Sequence, residues 1–420
     1  MFDYIKQFCI FALNNIFAMI LESVIKQVLE LQRDRLNQKD SGLKRELIPA
    51  TTSLSSHALI ISGIRRCGKS TLLLQMMQSL NLDDILFLNF DTPQLYGFNT
   101  RDFTRLDKII SSEGVSLLFF DEIQLVEGWE MYVRQKLDEG FRIIATGSNA
   151  SMLGQELGTR LTGRHITQEL FPFSYSEFLS FRSLQPSGDS LESYTMLGGF
   201  PEFLKSEAPE QLMMLYDDIL VRDIVAKYGI KDAVSLKRLA NYLLANIGNR
   251  ISATKLKQAL MIGATSTVLN WLSYLEHSYL FAFISMFSYS SKAQLINPRK
   301  VYAIDIGLVQ TMSVSKTDDK GRKLENLVYL HLRRKYNELY YYNKHGECDF
   351  VAFQNGSVTE LIQVCYDLNP DNIDREVNGL MDAMKFFNFE KAIVVTLADS
   401  DEIEKNGYKI AVIPAYEFLQ

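Results

Sequence analysis

Two stretches of the 420-residue chain carry residue types that few chemistries need together. The first, Ala58-Leu-Ile-Ile-Ser-Gly63-Ile64-Arg65-Arg66-Cys67-Gly68-Lys69-Ser70-Thr71, is an apolar run, a glycine-bounded loop and the start of a helical pattern. It fits G-x-x-x-x-G-K-[ST], the Walker A pattern. Gly63 and Gly68 let the backbone curl so that successive N–H groups face a polyphosphate, and the following helix adds the positive end of its dipole. On this reading Gly63 to Thr71 cradle ATP, Lys69 reaches the β and γ phosphates, and Ser70 holds Mg²⁺. The second stretch, Val115-Ser-Leu-Leu-Phe-Phe120-Asp121-Glu122, is an apolar strand that ends in two carboxylates. Acids at the end of a buried strand are unfavourable unless a cation or a reacting water meets them. In the Walker B arrangement Asp121 supports the magnesium and Glu122 polarises the attacking water.

The elements around these stretches must bring them together. Ser70 to Leu80 reads as the helix after the loop, Ile85 to Asp91 as a strand, Leu106 to Ser112 as a helix, and Phe141 to Gly147 as another apolar strand. That order predicts a parallel sheet with crossover helices, which brings the strand ends to one edge. Further back, Ile20, Leu21, Val24, Ile25, Val28 and Leu29 recur at helical spacing. The apolar run from Met1 to Leu21 is interrupted by Asp3, Lys6, Asn14 and Asn15 and shows no cleavage signal, so it reads as an added helix or as residues upstream of a start at Met19. No membrane span is expected.

A composition of 47% hydrophobic and 22% charged residues describes a globular chain of two or three domains. Cys9, Cys67, Cys348 and Cys365 form no C-x-x-C pair, which points to a reducing cytoplasm and away from zinc. The net charge of −6 is unevenly spread: residues 231–300 hold nine basic and two acidic side chains, whereas residues 321–420 hold eleven basic and sixteen acidic ones. Within the basic segment, Arg250 to Leu260 and Thr265 to Leu275 flank a turn at Gly263 in a helix-turn-helix pattern. Tyr279 to Ile284 and Lys300 to Ile304 would be wing strands, with Lys292, Arg299 and Lys300 at the tip. Phosphate contact with DNA has a physical basis here, although Ser266, Thr267, Asn270 and Ser273 offer no Arg or Lys to base edges. A winged helix that serves packing or a protein partner fits equally well.

The strings G-I-R-R-C-G-K-S-T-L-L, L-F-F-D-E-I-Q, T-G-S-N-A, L-T-G-R and F-P-F-S-Y-S-E-F resemble those of the bacterial and archaeal AAA-type predicted ATPases with an uncharacterised C-terminal domain. The likeness runs from about Glu22 to the end and includes Gly198-Gly-Phe-Pro-Glu202. It implies an α/β fold: a P-loop αβα sandwich over residues 46–170 after an N-terminal helical extension (1–45). A helical and winged-helix segment (171–310) and a restriction-endonuclease-like α/β domain (311–420) follow. It implies ATP hydrolysis with Lys69 and Glu122 catalytic and Asp121 and Ser70 on the metal. The place after the fourth strand holds a polar sensor in such proteins, here Asn149 or Ser148, though plain turn chemistry explains the same residues. Arg160 or Arg164 is a candidate for neutralising transition-state charge. Arg222 and Asp223 read as a structural ion pair.

The last hundred residues resemble a nuclease fold whose active members use acids and a lysine around magnesium. Glu325 and Asp349 match that pattern, but Gln363 stands where an acid belongs and Cys365 where the lysine belongs. A degenerate domain is therefore expected. The leading functional expectation is a cytoplasmic, magnesium-dependent ATPase that couples its nucleotide state to DNA or a protein partner. The alternatives are an ATP-gated nuclease and a low-turnover regulatory switch. No loop suited to threading a polymer is evident, which favours a monomer or small oligomer over a ring.

Overall fold

The computed structural model describes residues 19–46, 56–80, 84–148, 161, 163–312 and 319–420. They form two units, Met1–Gly63 with Gly68–Leu170, and Ile64–Cys67 with Phe171–Gln420.

In the first unit, the amphipathic helix α1 (Glu22–Gln38) buries Ile25, Val28 and Leu29 in the hydrophobic core. It thus contributes to the core of the first unit. Then come β1 (Ala58–Ser62), α2 (Lys69–Gln78), β2 (Ile85–Asn89), α3 (Phe103–Glu113), β3 (Leu117–Asp121), α4 (Trp129–Asp138), β4 (Arg142–Gly147) and β5 (His165–Glu169). The five strands are all parallel, in the order β2-β3-β4-β1-β5. Every residue of β1 and β3 is buried, as unbroken apolar runs require when helices cover both faces. Because the strands run one way, the ends of β1, β3 and β4 share one edge of the sheet. Aromatic rings fill the layer beneath α3 and α4, with Phe103 stacked on Tyr132 at 3.7 Å.

The second unit opens with α5 (Tyr175–Arg182), α6 (Gly188–Leu197), α7 (Pro201–Ser206) and α8 (Pro209–Asp218), which continues into a π-helical stretch, Ile219–Ala226. The S-Y-S-E string is a capping box: the Ser174 hydroxyl accepts from Glu177 N–H while Glu177 accepts from Ser174 N–H. The Gly-Gly-Phe-Pro segment is a packing node. A Cβ on Gly199 would lie 2.3 Å from the Phe173 carbonyl oxygen, and one on Gly198 would lie 2.4 Å from Asp305 Oδ1. The buried Asp305 accepts from Gly199 N–H at 2.7 Å and from Leu308 N–H at 3.1 Å.

Helix α9 (Ala233–Leu244), β6 (Arg250–Ile251), α10 (Ala253–Leu260), α11 (Thr265–His277), β7 (Phe281–Met286), α12 (Ser291–Ile296), β8 (Arg299–Ala303) and α13 (Ile306–Met312) follow. The turn between α10 and α11 takes its left-handed residue at Met261 (φ 54°), not at Gly263. The rest comprises α14 (Lys320–Lys335), β9 (Glu338–Asn343), β10 (Glu347–Gln354), β11 (Ser357–Val364), α15 (Ile373–Phe387), β12 (Lys391–Thr396), β13 (Asp401–Lys405), β14 (Tyr408–Pro414) and α16 (Ala415–Phe418). The strands expected as a wing do not stand alone. Strand β7 pairs with β9, giving one nine-stranded sheet ordered β13-β14-β12-β11-β10-β9-β7-β8-β6. A boundary at 310–311 would therefore cut through a single sheet.

Candidate functional site

The loop between β1 and α2 leaves the sheet with Gly63 N–H donating to the Gly147 carbonyl at 3.3 Å. It enters α2 through Gly68, whose φ of 105° only glycine adopts without strain. Ile64 to Cys67 group with the second unit, where Arg65 pairs with Asp223 at 2.9 Å and Arg66 with Glu202 at 3.4 Å. Asp223 thus takes Arg65 as its partner instead of the neighbouring Arg222, which is exposed. Lys69 is only 4% exposed; its ammonium donates to the Gly63 carbonyl at 3.0 Å and lies 3.7 Å from Glu122 Oε1.

Asp121 at the end of β3 is fully buried. Its Oδ1 accepts from Thr146 Oγ1 at 2.5 Å and its Oδ2 from Asn89 Nδ2 at 2.7 Å. Burial, reinforced by the Glu122 charge, raises its pKa, while hydrogen bonds from Thr146 and Ser70 and the Lys69 charge oppose that rise. Ser70 and Asp121, both expected on the metal, therefore meet. Glu122 follows in the left-handed region (φ 54°), with its N–H donating to Thr146 Oγ1 at 3.0 Å. Thr146 is thereby bonded to both members of the acidic pair. In turn Gln32 holds the Asn89 backbone on both sides, accepting from its N–H at 2.8 Å and donating to its carbonyl at 3.0 Å.

Ser148 lies at the same edge, 8% exposed, and accepts from Gln124 Nε2 at 3.3 Å. Asn149 and Arg160 lie outside the described residues. Arg164 donates to the Ser56 carbonyl and pairs with Asp138, so it is engaged in a contact within its own unit. Sequence reasoning passed over Asn89, Thr146 and Gln124. For Asn89 and Thr146 the available signal was a polar residue at or next to the end of an apolar strand beside the acidic one.

In the second unit, Glu325 and Asp349 do come together, but around a lysine that the sequence reading assigned to the wing tip. Lys300 is 3% exposed, and its Nζ lies 2.7 Å from Asp349 Oδ1, 2.9 Å from Glu325 Oε1 and 3.1 Å from Glu347 Oε1. It is therefore unavailable to DNA phosphates. Burial opposes its charge, but the three carboxylates hold its pKa well above the ordinary value. Tyr302 OH donates to Glu325 Oε1 at 2.7 Å. Gln363 accepts from Asp349 N–H at 3.1 Å and donates to Glu376 Oε2 at 2.7 Å, and burial pushes the Cys365 thiol up to about 11. Among the described residues, no group of three or more His, Cys, Asp or Glu side chains is placed to hold a metal.

Burial, with the Asp349 charge, pushes Glu325 up to about 7 from an ordinary 4.5, against the pull of Lys300 and Tyr302. Between those values the native state keeps a proton that the unfolded chain releases. Its contribution to stability is therefore full below about 4.5 and lost as pH rises through about 7. Glu325→Gln, neutral at every pH, is expected to flatten the dependence of the thermal midpoint on pH across that window. An unchanged slope would contradict the assignment.

A parallel sheet with a glycine loop at β1 and paired acids at β3 defines a P-loop protein, and the family described as "AAA domain" matches residues 55–179. A domain of unknown function, DUF8612, matches residues 188–319. The chain belongs to the same family as Uncharacterized protein MJ1544 of Methanocaldococcus jannaschii, to which it is 32% identical over 95% of each chain. An uncharacterised protein of Haemophilus influenzae is 30% identical, with 84% of this chain and 92% of that one covered. Among solved structures, AMPPCP-bound DnaA from Aquifex aeolicus aligns at 15% identity with a TM-score of 0.26, covering 60% of this chain and 88% of that one. Cdc6p from Pyrobaculum aerophilum aligns at 12% identity with a TM-score of 0.26, covering 72% and 95%. Among the described residues, no helix is long and apolar enough to cross a membrane.

Proposed function

We propose that this chain is a magnesium-dependent ATP hydrolase whose nucleotide state is coupled to DNA or to a protein partner. The observation that carries the reading is the convergence at one sheet edge of Lys69, Ser70, Asp121 and Glu122, with the Ser70 hydroxyl on Asp121 and the Lys69 ammonium 3.7 Å from Glu122. The residues present fit the substrate. A buried ammonium held on a backbone carbonyl of its own loop can turn to a phosphate oxygen without new desolvation, and the α2 N-terminus presents backbone N–H groups. Ser70 and Asp121 would hold Mg²⁺, which supplies charge neutralisation on the phosphates. Glu122 would take the proton of the attacking water, and Asn149 or Ser148 would contact the γ phosphate or that water.

The nuclease alternative has less support, because the Lys300 ammonium sits among the carboxylates that a metal would need. DNA contact rests on what remains of the basic segment, such as the exposed Lys255, since Lys300 is buried and Arg250 pairs with Glu347. The test is ATP binding and turnover by the full chain at about 0.1 M salt, with Mg²⁺ or EDTA and with or without duplex and single-stranded DNA. Turnover that requires Mg²⁺ is expected. Stimulation by DNA would make DNA the partner, turnover indifferent to DNA would direct the search to a protein, and failure to bind ATP would overturn the proposal.

A further inference from the structure

Glu122 is the residue whose carboxylate must point the right way if water is to be activated, and its backbone alone does not fix that direction. It begins a tight 3₁₀ turn, Ile123–Leu125, anchored by the fully buried Ile123. Two residues on, Gln124 folds back over this turn. Its Nε2 donates to Glu122 Oε2 and also reaches Ser148 Oγ at 3.3 Å. The other carboxylate oxygen, Oε1, faces Lys69 at 3.7 Å. Glu122 is thus held by a cation on one side and an amide donor on the other.

The acceptor half of the same amide shows which contact sets its orientation. Among the described residues, no donor meets the buried Gln124 Oε1. Buried polar atoms are seldom left in that condition. Turning the amide over would set a carbonyl oxygen against the Glu122 carboxylate, and like partial charges at that distance repel. The side chain therefore keeps its nitrogen on Glu122 although its oxygen meets no donor among the described residues. We propose that Gln124 is a positioning residue for ATP hydrolysis, one that fixes the Glu122 carboxylate and ties it to Ser148 at the end of β4. This inference rests on the hydrolytic reading given above.

The experiment compares wild type with Gln124→Ala, Gln124→Met and Gln124→Glu, measuring kcat for ATP and, separately, the Kd for ATP with Mg²⁺. Misplacing a reacting group by about 1 Å lowers rate by about a hundredfold. We expect kcat to fall about tenfold to a hundredfold in all three variants, with Kd within about twofold of wild type, which also reports a folded loop. Glutamate has the shape of glutamine but sets a carboxylate against Glu122, so its kcat should be no higher than that of the alanine variant. If Gln124 merely filled space, the order would reverse, with Gln124→Glu near wild type and Gln124→Ala slow. That reversal, a kcat that rises, or a Kd that moves in step with kcat would overturn the inference while leaving ATP hydrolysis standing. A wild type that binds ATP and does not turn it over would overturn both.

Discussion

Replacement of Lys69 by alanine is expected to lower ATP turnover by about a thousandfold or more, and to weaken ATP binding by about tenfold. Removing one pre-aimed donor from a developing charge lowers rate by about 10²–10³, and Lys69 also balances Glu122 in a site from which water is largely excluded. The ammonium is nearly buried and already on the Gly63 carbonyl, so little reorganisation separates the resting loop from one that holds phosphates. Steady-state turnover and a binding titration measure the two effects. Turnover within threefold of wild type would mean that the glycine loop is not the phosphate site.

The second large effect falls on stability. Lys300→Met keeps most of the side-chain volume but leaves Glu325, Glu347 and Asp349 without their shared counter-ion, and removing one partner of a buried ionic group destabilises by about 3–5 kcal/mol. The double variant Lys300→Met with Asp349→Asn should recover part of that loss, because one of the stranded charges is gone. The two tryptophans make the measurement local: Trp129 lies in the first unit and Trp271 in the second. With Trp129→Phe as background, the fluorescence midpoint of Trp271 should drop for Lys300→Met and partly return for the double variant. No change at Trp271 would show that the cluster adds nothing to the second unit.

What the sequence disclosed follows from how each feature is encoded. The phosphate loop and the acid-tipped strand were legible because their chemistry demands particular residues at fixed spacing, and the parallel sheet because both strands are unbroken apolar runs. Helix α1 was legible from its period, but not its membership of the first unit's core. Lys300 was misassigned because its partners lie 25 to 49 residues further along the chain, a separation that no local pattern records. The pairing of β7 with β9 escaped for the same reason. Gln124 escaped differently: a glutamine in a turn looks like surface, and its role appears only when the neighbouring carboxylate is seen to lean on it. The G-G-F-P-E segment was recognised as a resemblance, and its cause is steric, since Phe173 and Asp305 leave no room for a Cβ.

The pairing of β7 with β9 is short, with Ser285 opposite Tyr340 and Met286 opposite Tyr341, extended by Phe287 N–H donating to the Tyr341 carbonyl at 2.7 Å. A joint so narrow would let the β6-β8-β7 portion part from the β9-to-β14 portion as a separate cooperative block. Lys300 on β8 crosses this seam to Glu347 and Asp349 on β10, and Tyr341 OH crosses it to the Pro298 carbonyl at 2.5 Å. The ionic cluster therefore acts as a rivet: while it holds, hydrogen exchange should report one opening reaction for all nine strands, and once Lys300 is removed, two.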